Sequence, residues 1–137
     1  IFVRGIERDV LPFCAKYGFG VIPWSPLSGG WLSGKYRKGK VCPPGSRAAL
    51  DEWDMNSPES KMRFEAVERL IPLAKEAGAT LSQFSLAWLL TNPIVTAPII
   101  GPRTPEQLRD NLGALEVKLT KEYLKKVDEI VPPAANI

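Results

Sequence analysis

The 137-residue sequence contains no histidine, and only two cysteines and two methionines. Without histidine the commonest acid–base group near neutral pH is missing, so proton transfer within this chain would fall to carboxylates, lysines or tyrosines. Cys14 and Cys42 lack Cys-x-x-Cys spacing and have no histidine to join them, which excludes the usual zinc clusters. Two reduced thiols are the expected state, and that fits a cytoplasmic protein. No apolar run approaches the roughly 18 residues of a membrane span, and no signal-peptide pattern is present. Blocks of one charge sign are absent too. The 18 Lys and Arg are mixed with 15 Asp and Glu, as in KEYLKKVDE (121–129), so the net charge of +3 is spread over a solvated surface. That mixture excludes a basic nucleic-acid track, and neither nucleic acid nor membrane is expected as a partner. Repeats and low-complexity segments are lacking.

What is present is an ordinary globular composition, 45% hydrophobic and 24% charged. The opening IFVRGIERDV reads as though met partway through an element. Val10, Leu11, Phe13, Cys14 and Tyr17 recur at helical spacing and Gly18 stands at a C-cap position, predicting a helix over 7–17. Residues 19–24 predict a short strand. An irregular section over 25–58, with Pro43, Pro44 and Gly45, is too long for a passive connection and predicts a lid or binding loop. Residues 57–77 are helical by pattern, with Pro72 expected to kink or split them. Thr80 and Gln83 form a capping box for a helix through Leu90. A second strand over 94–100 is interrupted by Pro98. Thr104, Pro105 and Gln107 supply cap, first turn and capping box for the next helix, whose Leu108, Leu112 and Leu115 are expected to face inward. A last amphipathic helix starts at Thr120 and ends before Pro132.

Strands separated by helices imply parallel pairing and right-handed crossovers, hence an α/β layer. Two parallel strands do not make an independent sheet with both faces covered. Residues 1–137 therefore read as part of a larger domain. Its bare edges predict dimerisation, aggregation or a molten state for the polypeptide by itself.

Two stretches carry a resemblance. VIPWSPLSGGWLSGKY (21–36) and IIGPRTPEQLRDNLGAL (99–115), in that order and together with ERDVLPFC, PPGSRA and ATLSQFSLAWLL, resemble the C-terminal portion of the aldo-keto reductases. The nearest branch is the one that contains bacterial sugar-aldehyde reductases and potassium-channel β subunits. The resemblance implies the last part of a (β/α)8 barrel, a fold of roughly 250 residues, to be completed by self-association or by a missing N-terminal half. Residues 19–24 and 94–100 would be its strands seven and eight, 25–58 a long loop on the cofactor side, and the cofactor NADP(H).

The same resemblance implies the site. Trp24 would stack on the nicotinamide; by residue type alone it reads first as a packed core side chain. Ser25, Leu27, Ser28 and Gly29 would turn backbone N–H groups toward a pyrophosphate, with Pro26 fixing the turn. Lys35 is a phosphate contact or a solvated lysine, and Arg47 a loop arginine reaching the phosphates. Gly101 leads into a helix N-terminus, which attracts anions, and Arg103 beside it suits the 2′-phosphate that distinguishes NADP from NAD. Gln107, Asp110 and Asn111 would face the adenosine. Gln107 is also wanted as a cap, and Asp110 stands where the family usually has glutamate.

The family's proton-transfer groups, an aspartate, a tyrosine, a lysine and a histidine, are carried on earlier strands and are not assignable here. Tyr17, Tyr36 and Tyr123 do not stand in the catalytic tyrosine's context. The reading is thus a cofactor grip without a catalytic residue: part of an NADPH-dependent reductase acting on a small-molecule carbonyl substrate. The alternatives are a non-catalytic regulatory subunit like the channel β subunits, or a truncated inactive fragment.

Overall fold

The computed structural model describes residues 1–137. After a 3-10 turn at Gly5–Glu7, α1 (Val10–Tyr17) ends at Gly18. A 3-10 segment, Ser28–Ser33, and the short α2 (Arg47–Leu50) punctuate the irregular section. Then follow α3 (Pro58–Glu76), α4 (Leu81–Leu90), α5 (Pro105–Leu112), a 3-10 turn at Gly113–Glu116, and α6 (Lys121–Ile130).

Local chemistry explains most of these boundaries. Ser57 caps α3 by accepting the Ser60 N–H, and Thr80 and Gln83 close both halves of the capping box on α4, at 3.2 and 3.1 Å. Pro72 does not split α3. It removes one helical N–H donor, but the buried Val67, Leu70 and Ala74 anchor the helix on both sides of it.

The two extended segments do pair in parallel, at Val21 with Val95 and Trp24 with Ile99. They do not form the regular strands expected. Val21 donates to Ile94 and Thr96 donates to Val21, at 2.8 and 2.9 Å, and the next bond is Ile99 to the Pro23 carbonyl. Between the paired positions the first segment advances three residues and the second four, so one extra residue is accommodated around Ala97 and Pro98. Pro23 and Pro98 each lack the N–H that a continuous ladder needs, which is the physical reason for the break.

The core lies on the helical side. Trp31, Leu32 and Tyr36 from the irregular section are fully buried in one core with Phe64, Val67 and Leu70 of α3, Phe84 of α4, Val127 of α6, and Val131. Trp31 meets Phe64 edge-on at 4.9 Å and stacks on Trp53 at 6.5 Å. The section read as a loop is therefore rooted in the core at its middle. Away from the paired segments, the buried Arg4 holds Glu7, Asp128 and the Val131 carbonyl, and lies over Trp88.

A large apolar face stays uncovered. The accessible surface is 8378 Å², against roughly 7,100 Å² for a compact monomer of 15.1 kDa. Leu108, Leu112 and Leu115 are exposed, contrary to the inward packing expected, and so are Val10, Phe13 and Tyr17 of α1. Their spacing marks an apolar stripe correctly, but nothing in this chain lies against it. No helix is long and apolar enough to cross a membrane.

Candidate functional site

At the end of the first extended segment Trp24 is 79% exposed and packs in no core of this chain. Its pairing with Ile99 sets it beside the second segment, just before Gly101. Past Trp24 the backbone turns left-handed repeatedly: φ is 53° at Ser25, 51° at Ser28, 65° at Gly29 and 101° at Gly30. For the two serines this costs about 1 kcal/mol or more each, and such strain concentrates at ligand clamps.

The twist determines which donors are open. The N–H groups of Ser25, Leu27 and Gly29 have no acceptor in the chain, while Ser28 donates to Ser25 at 2.8 Å and Gly30 to Leu27 at 2.9 Å. Ser28 is thus a turn residue and not a free donor, since its N–H closes the turn over Pro26. The other three expected donors stay open.

Gly29 is wedged. A Cβ there would lie 2.5 Å from the Trp53 ring and 3.4 Å from Arg47 Cδ. Arg47 therefore lies against the Ser25–Gly30 backbone, where it also approaches Asp51 at 3.6 Å. Lys35 folds over Gly30, its ammonium 2.5 Å from where a Cβ would be, and has no carboxylate partner within 4.0 Å. Tyr36, buried beneath, donates to the Gly29 carbonyl at 3.3 Å and accepts the Ala48 N–H at 3.2 Å.

The second motif reaches the same place. The Arg103 guanidinium donates to the Gly45 carbonyl at 3.1 Å, two residues before Arg47. Gly101 has open space around it. The capping box expected at Gln107 is shifted by one residue. Thr104 does accept the Gln107 N–H, at 3.3 Å, but the Gln107 amide oxygen takes the N–H of Arg103 at 2.7 Å and not that of Thr104. The Gln107 amide nitrogen is left without an acceptor.

Asp110 and Asn111 lie three and four residues beyond Gln107 on the same side of α5, where the helix meets α4. The Asp110 carboxylate accepts from Thr80 Oγ1 at 3.1 Å and its carbonyl from Gln83 at 3.0 Å, because the N-terminus of α4 docks there. Asn111 is buried against a 210 Å³ cleft bordered by Leu86, Leu90 and Thr96. The structure thus links Ser25–Gly30, Lys35, Arg47 and Arg103 through the contacts at Gly29, Gly30 and Gly45, with Trp24 just ahead of them in the chain and Gln107 bonded beside Arg103. Three cations with no counter-charge but Asp51 suit an elongated anion.

Sequence reasoning missed Gly45, Tyr36 and Trp53. The PPGSR turn was a signal for the first, and a tyrosine between polar neighbours a signal for the second. Acid–base groups are not gathered beside Trp24: Tyr17 packs on Phe13, Tyr123 on Phe84, and Tyr36 is enclosed. No cluster of three or more His, Cys, Asp or Glu could hold a metal.

Comparison with known proteins agrees with this architecture. The profile of the Aldo/keto reductase family matches residues 2–132. A Schizosaccharomyces pombe protein provisionally named a voltage-gated potassium channel subunit beta is 43% identical over 131 residues, covering 91% of this chain and 38% of its own. The uncharacterized oxidoreductase YrpG of Bacillus subtilis is 44% identical, covering 94% and 37%. Among solved structures, the glycerol dehydrogenase AKR11B4 of Gluconobacter oxydans superimposes with a TM-score of 0.75 at 30% identity, over 96% of this chain and 41% of the other. The chain belongs to the aldo/keto reductase family, and it spans less than two-fifths of the length of these curated relatives, a partial piece of the family's barrel fold.

Proposed function

We propose that this chain is the NADP(H)-binding C-terminal part of an aldo-keto reductase that converts aldehydes or ketones to alcohols, with residues 19–24 and 94–100 as barrel strands seven and eight. The observation that carries the proposal is the meeting of two distant motifs, where Arg103 reaches Gly45 and Arg47 lies on Gly29. These contacts support a cationic track from the exposed indole to the N-terminus of α5. A dinucleotide has the same succession of parts: a flat heteroaromatic, two phosphates and a phosphorylated adenosine.

Bound NADPH would supply the hydride for carbonyl reduction. Within the chain, Trp24 offers a face to the nicotinamide, and the N–H groups of Ser25, Leu27 and Gly29 offer donors to the pyrophosphate. Lys35 and Arg47 neutralise phosphate charge, and Arg103 takes the 2′-phosphate bidentately. The free amide nitrogen of Gln107 points to adenosine recognition. Asp110, bonded to Thr80, and Asn111, buried at the α4 contact, leave that role chiefly to Gln107. We place the proton donor on strands outside this chain: it has no histidine, Tyr36 is enclosed, and Tyr17 and Tyr123 pack on Phe13 and Phe84 away from Trp24.

The test is a titration of the full-length protein with NADPH, read by tryptophan fluorescence in the wild type and in Trp24→Phe. Micromolar or tighter binding, with quenching reduced in the variant, supports the reading. Absence of binding sinks it. The likeness to the channel-subunit relatives supports a second reading, a non-turnover subunit in which cofactor occupancy is signalled to a partner. Cofactor binding without reduction of any of a panel of aldehydes, together with capture of a channel's cytoplasmic segment, would favour that one.

A further inference from the structure

We infer that Tyr36 is a positioning residue for the phosphate-binding backbone, acting through a single hydroxyl that joins the Gly29 carbonyl to the Ala48 amide. The inference rests on the cofactor reading above and deepens it. Gly29 and Ala48 belong to two separate segments, and each adjoins a group offered to phosphate. Gly29 carries one of the open N–H donors, and Ala48 follows Arg47 directly.

Gly29 and Gly30 are consecutive glycines at positive φ, with no side chain to restrict the peptide between them. One edge of that peptide is held within the segment, by the Gly30 N–H on the Leu27 carbonyl at 2.9 Å; the other, the Gly29 carbonyl, is held from outside it by Tyr36 at 3.3 Å. Ala48 sits in the first turn of a four-residue helix, where an N–H has no partner inside the helix. Ser46, the cap, is occupied with the next donors, Ala49 and Leu50. The Tyr36 oxygen is the acceptor Ala48 has, at 3.2 Å.

The hydroxyl is itself held still. Tyr36 is 1% exposed, and its ring lies edge-on to Trp31 at 5.3 Å and tilted on Trp53 at 6.0 Å. A phenol is the side chain of this size that donates and accepts at one atom while filling an apolar site. The ring also supports Lys35, whose ammonium lies 5.1 Å from its centre. Tyr36→Phe keeps the ring and that contact, and removes the hydroxyl alone.

The experiment compares wild type and Tyr36→Phe in the full-length protein, with three ligands: NADPH, NADH and adenosine 2′-phosphate. Loosening both halves of the pyrophosphate contact should weaken NADPH and NADH by the same factor, about tenfold, because both carry the pyrophosphate. Adenosine 2′-phosphate, which lacks it, should bind as before. An independent readout needs no variant: the Ala48 amide of the wild type should exchange slowly with solvent, and more slowly with NADPH bound. Wild-type binding that Tyr36→Phe leaves unchanged, an equal loss for all three ligands, or fast exchange at Ala48 would overturn the inference while leaving the cofactor reading in place. Failure of the wild type to bind either dinucleotide would overturn both.

Discussion

Arg103 and Gly45 lie 58 positions apart in sequence and meet at 3.1 Å, guanidinium nitrogen to carbonyl oxygen. This contact makes one surface of two segments that chain order keeps apart. It also gives Arg103 two roles that can be separated, tethering the loop around PPGSR and presenting a positive charge beside the N-terminus of α5.

The charge role predicts selectivity. A charge-assisted bidentate contact to a phosphate contributes about 1.5–3 kcal/mol, so Arg103→Ala should weaken NADPH by about 10- to 150-fold and NADH by less than about threefold. Isothermal titration of both cofactors measures the ratio. An equal loss for the two would assign Arg103 to holding the loop and not to reading the extra phosphate.

Gly29 and Gly45 make a matched pair for the packing around Trp53. Both have left-handed φ, at 65° and 69°, so alanine at either site carries a backbone cost of about 1 kcal/mol. At Gly45 the added methyl meets open space. At Gly29 it meets the Trp53 ring at 2.5 Å, and that ring is stacked on the buried Trp31. Gly29→Ala should therefore cost about 2–4 kcal/mol and Gly45→Ala about 1 kcal/mol, read from urea unfolding. Equal costs would mean that Trp53 yields easily.

The helices were legible in the sequence because their ends are set by local chemistry. Ser57, Thr80 and Thr104 accept the N–H groups their positions predict. The irregular turn after Trp24 was legible as well, in its prolines, serines and glycines. Less legible was anything decided at a distance. Asp110 shares its helix with Gln107, yet Thr80 of another helix claims its carboxylate. Trp31 and Tyr36 look like loop residues until α3 and α4 close over them. The broken pairing of the extended segments was readable in Pro23 and Pro98, whose missing N–H groups forbid a regular ladder. Leu108, Leu112 and Leu115 failed for another reason: periodicity identifies an apolar face, while burial needs a partner surface, and this chain does not contain one.

Acid should loosen the contact between the irregular section and α3. Arg37 and Glu68 form a bidentate pair at 2.7 and 2.6 Å, and the hydrogen bond from Arg37 holds the Glu68 carboxyl below its usual pKa of 4.5. A carboxyl depressed in the folded state contributes stability that is present above its unfolded value and lost as pH falls through the folded one. Wild type should therefore lose stability below about pH 4.5 to a slightly greater extent than Glu68→Gln. The pair is solvent-exposed, so the difference is about 0.5 kcal/mol or less and shrinks in 1 M salt. Urea midpoints from pH 3 to 7 measure it. A variant that tracks wild type across the whole range at low salt would remove the pair from the acid response.

The uncovered apolar face makes a prediction about the polypeptide by itself. Leu112 is 51% and Leu115 68% exposed, beside a cleft bordered by Leu86 and Leu90. In a complete barrel such side chains would be covered; here they contribute little to folding and much to stickiness. Leu112→Gln with Leu115→Gln should accordingly change the unfolding free energy of the 137-residue chain by less than about 0.5 kcal/mol, the range of exposed sites. The double substitution should at the same time reduce dye binding and concentration-dependent association. In the full-length protein the same pair should be destabilising by about 2 kcal/mol or more, because there the leucines have a surface to lose. Size-exclusion chromatography and unfolding of both forms check this. A 137-residue chain that runs as a tight monomer, unfolds cooperatively and loses stability on these substitutions would show that the face is already covered from within.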